Sequence, residues 1–143
     1  MRKAFWGVLA FIILASLSAG VGIACSGSNA SLSGAGNDVN VDSTYSGKQV
    51  ELSVGQSLIV TLVSNPSTGY SWSLADNSNE SVLSNTGDEY IAPQTTLIGA
   101  PGSEKWTFKA LKKGTSIISM EYIRPWEEDA PPAETFNLTV VVK

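Results

Sequence analysis

Residue types that could support covalent or acid–base chemistry gather in two short segments shaped by proline and glycine. Asn65-Pro66-Ser67-Thr68-Gly69-Tyr70 offers two adjacent hydroxyls, and Arg124-Pro125-Trp126-Glu127 runs on into Glu128 and Asp129. A hydroxyl nucleophile needs a base beside it, yet the chain contains no histidine. That removes Ser-His-Asp and Cys-His pairs, His-ligated zinc and histidine pH switching. The single cysteine, Cys25, excludes an intrachain disulfide and a cysteine-built metal cluster. Glu127, Glu128 and Asp129 are available to an exported hydrolase using paired carboxylates, and those acids with Asp88-Glu89 are the candidates for calcium binding. Adjacent acids in a Pro-rich loop are ordinarily solvated charge, and no loop has EF-hand spacing. Neither a metal nor a cofactor is expected, and the chain is not read as an enzyme.

What these segments do offer is stiff surface. Pro66 fixes its own φ and pushes Asn65 towards extended backbone, while Gly69 permits a left-handed turn before Tyr70. In Gly99-Ala100-Pro101-Gly102 the glycines allow another backbone to approach closely, and Pro101 limits floppiness. Trp126 sits beside Pro125 and ahead of Pro131-Pro132, a setting that is hard to bury, and Trp and Arg dominate interface hot spots. Taken singly, the first two segments read as ordinary turns.

The elements that must carry them are strands. Val50, Leu52 and Val54 alternate with polar residues, and Ser57 to Val63 is a β-branched run of strand length. Tyr70 to Leu74, Lys105 to Leu111, Thr115 to Ile123 and Phe136 to Val142 continue the series, with weaker candidates at Val82-Leu83 and Glu89-Tyr90-Ile91. Lys112-Lys113-Gly114 and Pro/Gly/Asn/Asp clusters separate them. No stretch holds a helical apolar stripe. The expected fold is all-β: an immunoglobulin-like antiparallel β-sandwich of seven to eight short strands, with Trp72 and Trp106 in its core.

The chain has 143 residues and a net charge of −4, which suits one domain and argues against phosphate-backbone binding, so no nucleic-acid partner is expected. Residues 1–25 have the layout of a signal peptide: Arg2 and Lys3, then no charge from Ala4 to Cys25. Gly22-Ile23-Ala24-Cys25 resembles a bacterial-type lipobox, making Cys25 a candidate lipid-attachment site, although cleavage near Ser18-Ala19-Gly20 or an uncleaved anchor fits the same segment. Each version exports the rest of the chain, as a membrane-anchored lipoprotein or a secreted protein. Residues 26–47, mostly Ser, Gly, Asn and small apolar residues, read as a flexible linker, and residues 48–143 as the folded domain.

The order Asn-Pro-x-Thr-Gly-Tyr, then Gly-x-x-Gly, then Arg-Pro-Trp-Glu resembles the chagasin family of cysteine peptidase inhibitors, from about Lys48 to Val142. Pro101 stands where that family commonly has a further glycine. The resemblance implies a monomeric sandwich with three loops at one end, entering the cleft of a papain-like cysteine protease. Asn65, Pro66, Ser67, Thr68, Gly69 and Tyr70 would form the central loop, with Ser67 and Thr68 against the catalytic cysteine. Gly99, Ala100, Pro101 and Gly102 would grip one wall of the cleft, and Arg124, Pro125, Trp126 and Glu127 the other. It implies reversible, competitive inhibition, with membrane contact only through the N-terminal lipid or signal anchor. The rival is an exported surface adhesion or ligand-binding β-sandwich module, since sandwiches host many functions.

Overall fold

The computed structural model describes residues 38–143. The signal-like segment, Cys25 and the linker up to residue 37 lie outside the described residues. Eight strands follow in order: β1 (Val39–Asp42), β2 (Lys48–Leu52), β3 (Ser57–Ser64), β4 (Ser71–Asn77), β5 (Leu83–Ile91), β6 (Gly102–Ala110), β7 (Gly114–Ile123) and β8 (Glu134–Val142). They form two four-stranded sheets, β1-β3-β6-β5 and β2-β8-β7-β4. Pairing is antiparallel except at one edge of each sheet, where β1 runs parallel to β3 and β2 parallel to β8. The expected sandwich is the observed fold.

Period-2 alternation builds it. In β3, Leu58, Val60 and Leu62 turn inward while Ser57, Ile59 and Thr61 stay partly exposed. In β6, Trp106, Phe108 and Ala110 turn inward on the same rule. The facing sheet contributes Ile118, Met120, Phe136, Leu138 and Val140, all essentially inaccessible to water. At about 25 cal/mol per Å2 of apolar area, burial of these large side chains drives the sheets together. Trp72 and Trp106 lie in this core, at 6% and 7% exposure.

Three local expectations differ from the structure. The flexible linker was expected to reach Gly47, but Val39–Asp42 forms β1 and Ser43–Tyr45 a single 3-10 turn capped by Asp42. A four-residue edge strand burying only Val41 leaves almost no periodic signal among Asn, Asp and Ser. Val54 does not extend β2; it lies in the turn after it, half-exposed. Val82-Leu83 and Glu89-Tyr90-Ile91 are not separate elements. They flank and complete one edge strand, β5, whose alternation is broken by a bulge between Asn85 and Gly87.

Register places the loops. Ser64 at the end of β3 lies opposite Gly102 at the start of β6, and Ile91 at the end of β5 lies opposite Ser103. In the other sheet, Ser71 lies opposite Ile123, and Tyr122 opposite Glu134. Residues 65–70 connect Ser64 to Ser71 across the two sheets, so both sets of strand ends share one pole. At the other pole Val39 pairs with Leu58, and the Lys143 amide donates to the Leu52 carbonyl. The described chain therefore begins and ends away from the loops.

Candidate functional site

The central loop is tightly self-bonded. Pro66–Thr68 forms one 3-10 turn whose N-cap is Asn65. The Asn65 side-chain oxygen accepts from the Ser67 amide and the Ser67 hydroxyl. Its carbonyl accepts from the Thr68 amide at 3.0 Å and the Thr68 hydroxyl at 2.6 Å. Pro66 needs no partner for a missing N–H at the first position of such a turn. Gly69 closes it at φ +81°, a conformation costly to any residue with a Cβ. Ser67 and Thr68 are exposed, but each spends its proton inside the loop; only acceptor capacity remains for a partner.

The third loop is fastened to the central one. The Arg124 guanidinium lies 4.4 Å from the Tyr70 ring centroid, its Nε donates to the Thr68 carbonyl at 3.2 Å, and its Nη1 pairs with Glu127 at 3.1 Å. Tyr70 in turn stacks on Tyr122 of β7, ring centroids 5.2 Å apart. The six-membered ring of Trp126 rests on Gly69, where any Cβ would fall inside the ring's Cη2 and Cζ2 atoms. Trp126 is nonetheless 67% exposed. Its seat is the face of a glycine, and the rest of the indole is free to meet a partner.

The second loop joins through one bond, from Asn65 Nδ2 to the Gly99 carbonyl at 3.1 Å. Gly99 itself is left-handed, at φ +80°. Gly102 allows a close backbone approach within the fold itself. It is buried as the first residue of β6, and a Cβ there would collide with the Ile91 carbonyl and the Tyr90 ring. Its missing side chain makes room for the packing of β5 on β6. Pro101 and Ala100 stay at the surface of the turn.

Thus the structure brings the segments 65–70, 99–102 and 124–127 together at one pole. It also adds residues that local reading passed over. Leu97 and Ile98, immediately before Gly99, are 75% and 104% exposed, an apolar pair on the second loop. Two adjacent large aliphatics between Thr96 and Gly99 were the available signal. Among the described residues, no group of three or more acidic, Cys or His side chains is arranged to hold a metal ion. No helix among them is long and apolar enough to cross a membrane.

A β-sandwich whose one end is a cross-braced cluster of proline- and glycine-shaped loops presents a preformed surface, the build of a binding protein. Residues 51–140 match the chagasin family peptidase inhibitor I42 pattern, and the chain belongs to that family. It is 28% identical to Chagasin from Trypanosoma cruzi over 102 residues, which is 68% of this chain and 92% of that protein. The crystal structure of the cysteine protease inhibitor EhICP2 from Entamoeba histolytica superposes with a TM-score of 0.67 at 26% identity, covering 73% of this chain and 95% of that one. PbICP-C, solved in complex with falcipain-2, shares the fold with a TM-score of 0.56 at 23% identity, covering 75% and 90%.

Proposed function

We propose that this protein inhibits papain-like cysteine proteases reversibly and competitively, by seating its three-loop pole in the active-site cleft. The observation that carries the reading is the bracing of the loops into one surface: Asn65 to Gly99, Arg124 to Thr68, and Trp126 on Gly69. A surface already held in shape loses little conformational entropy on docking, so more of the contact energy survives as affinity. Protease–inhibitor interfaces bury about 1,600 Å2 in total, within reach of three loops. The exposed 3-10 turn at Pro66–Thr68 is the part that meets the catalytic cysteine; Trp126 covers one wall of the cleft and the Leu97–Gly99 turn the other. No covalent bond is needed, and one chain supplies every loop, so a monomer suffices.

Titrating active papain with the protein tests this. Activity should fall stoichiometrically and return with excess substrate. Trp126→Ala should weaken inhibition by roughly 30-fold or more, the scale of a hot-spot truncation, while the thermal midpoint stays nearly unchanged. A Ser67→Ala/Thr68→Ala double variant should also weaken it. An adhesion or ligand-binding module predicts that none of these changes affects protease binding, and that outcome would overturn the reading.

Export belongs to the same proposal. The charged start, the uncharged run to Cys25 and the small residue before it support a lipoprotein held on the outer side of a membrane. Fatty-acid labelling of the cell-made protein, lost in Cys25→Ser, is the expected result; labelling that survives this change refutes the site.

A further inference from the structure

We propose that Glu104 is the positioning residue of the inhibitory pole, its buried carboxyl tying both feet of the central loop; this rests on the docking proposed above. Inward positions of β6 otherwise hold Gly102, Trp106, Phe108 and Ala110, all without charge. Glu104 interrupts that series at 8% exposure. Its Oε1 accepts from the Ser64 hydroxyl at 2.6 Å, and both carboxyl oxygens lie 3.2 Å from the Trp72 amide nitrogen. Ser64 is the residue immediately before Asn65, and Trp72 the second residue after Tyr70. One carboxyl group therefore holds the two ends of the segment 65–70.

The two ends belong to different sheets, since β3 lies in one and β4 in the other. β4 is an edge strand paired with β7 alone, so the Trp72 amide has no strand on its far side. Glu104 reaches across the sandwich to fill that place. The ion pairs of the described residues are Lys105–Glu89, Arg124–Glu127 and Lys143–Glu51; none of them involves Glu104. A buried acid with neutral donors and no cation is an expensive choice where an aliphatic residue would pack. The return is geometric: the spacing and tilt of the central loop are set by a group with two acceptor atoms. Two further inter-sheet bonds act beside it, from the Asn65 amide to the Tyr122 hydroxyl at 2.8 Å and from Trp72 Nε1 to the Val63 carbonyl at 3.0 Å. Glu104 differs from these in joining the two ends through a single buried carboxyl that accepts from both.

The test compares Glu104→Leu, which removes the acceptors at similar size, with Glu104→Gln, which retains an acceptor oxygen. Both are measured in the full chain for papain inhibition, amide hydrogen exchange and thermal unfolding. In Glu104→Leu the Trp72 amide should exchange at least about tenfold faster, the scale of one lost hydrogen bond, and inhibition should weaken at least tenfold. The Val140 amide, deep in β8, should change less than the Trp72 amide. Glu104→Gln should restore exchange and inhibition to within about threefold of the wild type. A Glu104→Leu protein that folds and inhibits papain like the wild type overturns the proposal, as does equal acceleration at Trp72 and Val140. If Glu104→Leu does not fold, Ser64→Ala frees one foot only. It should weaken inhibition about threefold to tenfold, and unchanged inhibition there overturns the proposal too. A wild type that leaves papain untouched refutes the docking, while the exchange comparison still decides the tie.

Discussion

Gly69 is where folding and function are most closely joined, and replacing it with alanine separates the two. The new methyl meets two obstacles. At φ +81° the backbone is left-handed, which costs an L-residue about 1–2 kcal/mol. The methyl also falls on the Trp126 ring, inside its Cη2 and 2.7 Å from Cζ2. Trp126 is mostly exposed, so the ring swings aside more cheaply than the strands move. Folding then pays chiefly the backbone term, a fall in midpoint of roughly 4–8 °C per kcal/mol for a domain of this size. Inhibition pays for a displaced tryptophan, on the order of 2 kcal/mol or about 30-fold in Ki. Gly55→Ala is the control. Gly55 has φ +90° with open space around it, at the pole away from the loops, where its amide donates to the Ala110 carbonyl. The two variants should lose similar stability, yet only Gly69→Ala should weaken papain inhibition. Equal inhibition by both, or equal loss in both, would refute the reasoning.

Ile98→Asp puts a charge on the exposed apolar turn of the second loop; it should leave the thermal midpoint unchanged and weaken papain inhibition about tenfold, the cost of one poorly placed interface residue. Asp42 answers to pH. The Thr44 hydroxyl and amide donate to its carboxylate and hold it below its ordinary value of 3.8. A folded pKa below the unfolded one means that the anion's contribution is present above about pH 4 and fades as pH falls through the folded value. The midpoint gap between wild type and Asp42→Ala should thus be constant from pH 5 to 8 by this linkage and shrink below about pH 4. Finally, without histidine the inhibitor has no side chain whose ordinary pKa lies between pH 5 and 8. Proton uptake on complex formation in that range should come from the protease, and an inhibitor group titrating there would contradict this.

Strands that bury a full face announced themselves in the sequence. β3, β6, β7 and β8 alternate over eight to ten residues, enough for the period to stand out. β1 does not, because one buried valine satisfies it. The meeting of the loops is a different matter. Asn65 reaches Gly99 across 34 positions and Arg124 reaches Thr68 across 56, and no local spacing encodes such contacts. Their convergence was legible only through the order of three motifs together. Gly102 and Glu104 had a usable signal: both are in phase with Trp106 and Phe108, so the alternation that buries the aromatics buries them as well. Leu97 and Ile98 have no phase, being outside a strand, and only their chemistry marks them.

The parallel run of β1 beside β3 has a practical outcome. Val39 stands at the blunt side of the domain, so a bead or a fused partner gripping β1 there holds a handle and leaves the blade bare. Inhibitor fixed to a support through its amino-terminal side should capture protease about as well as inhibitor in free solution.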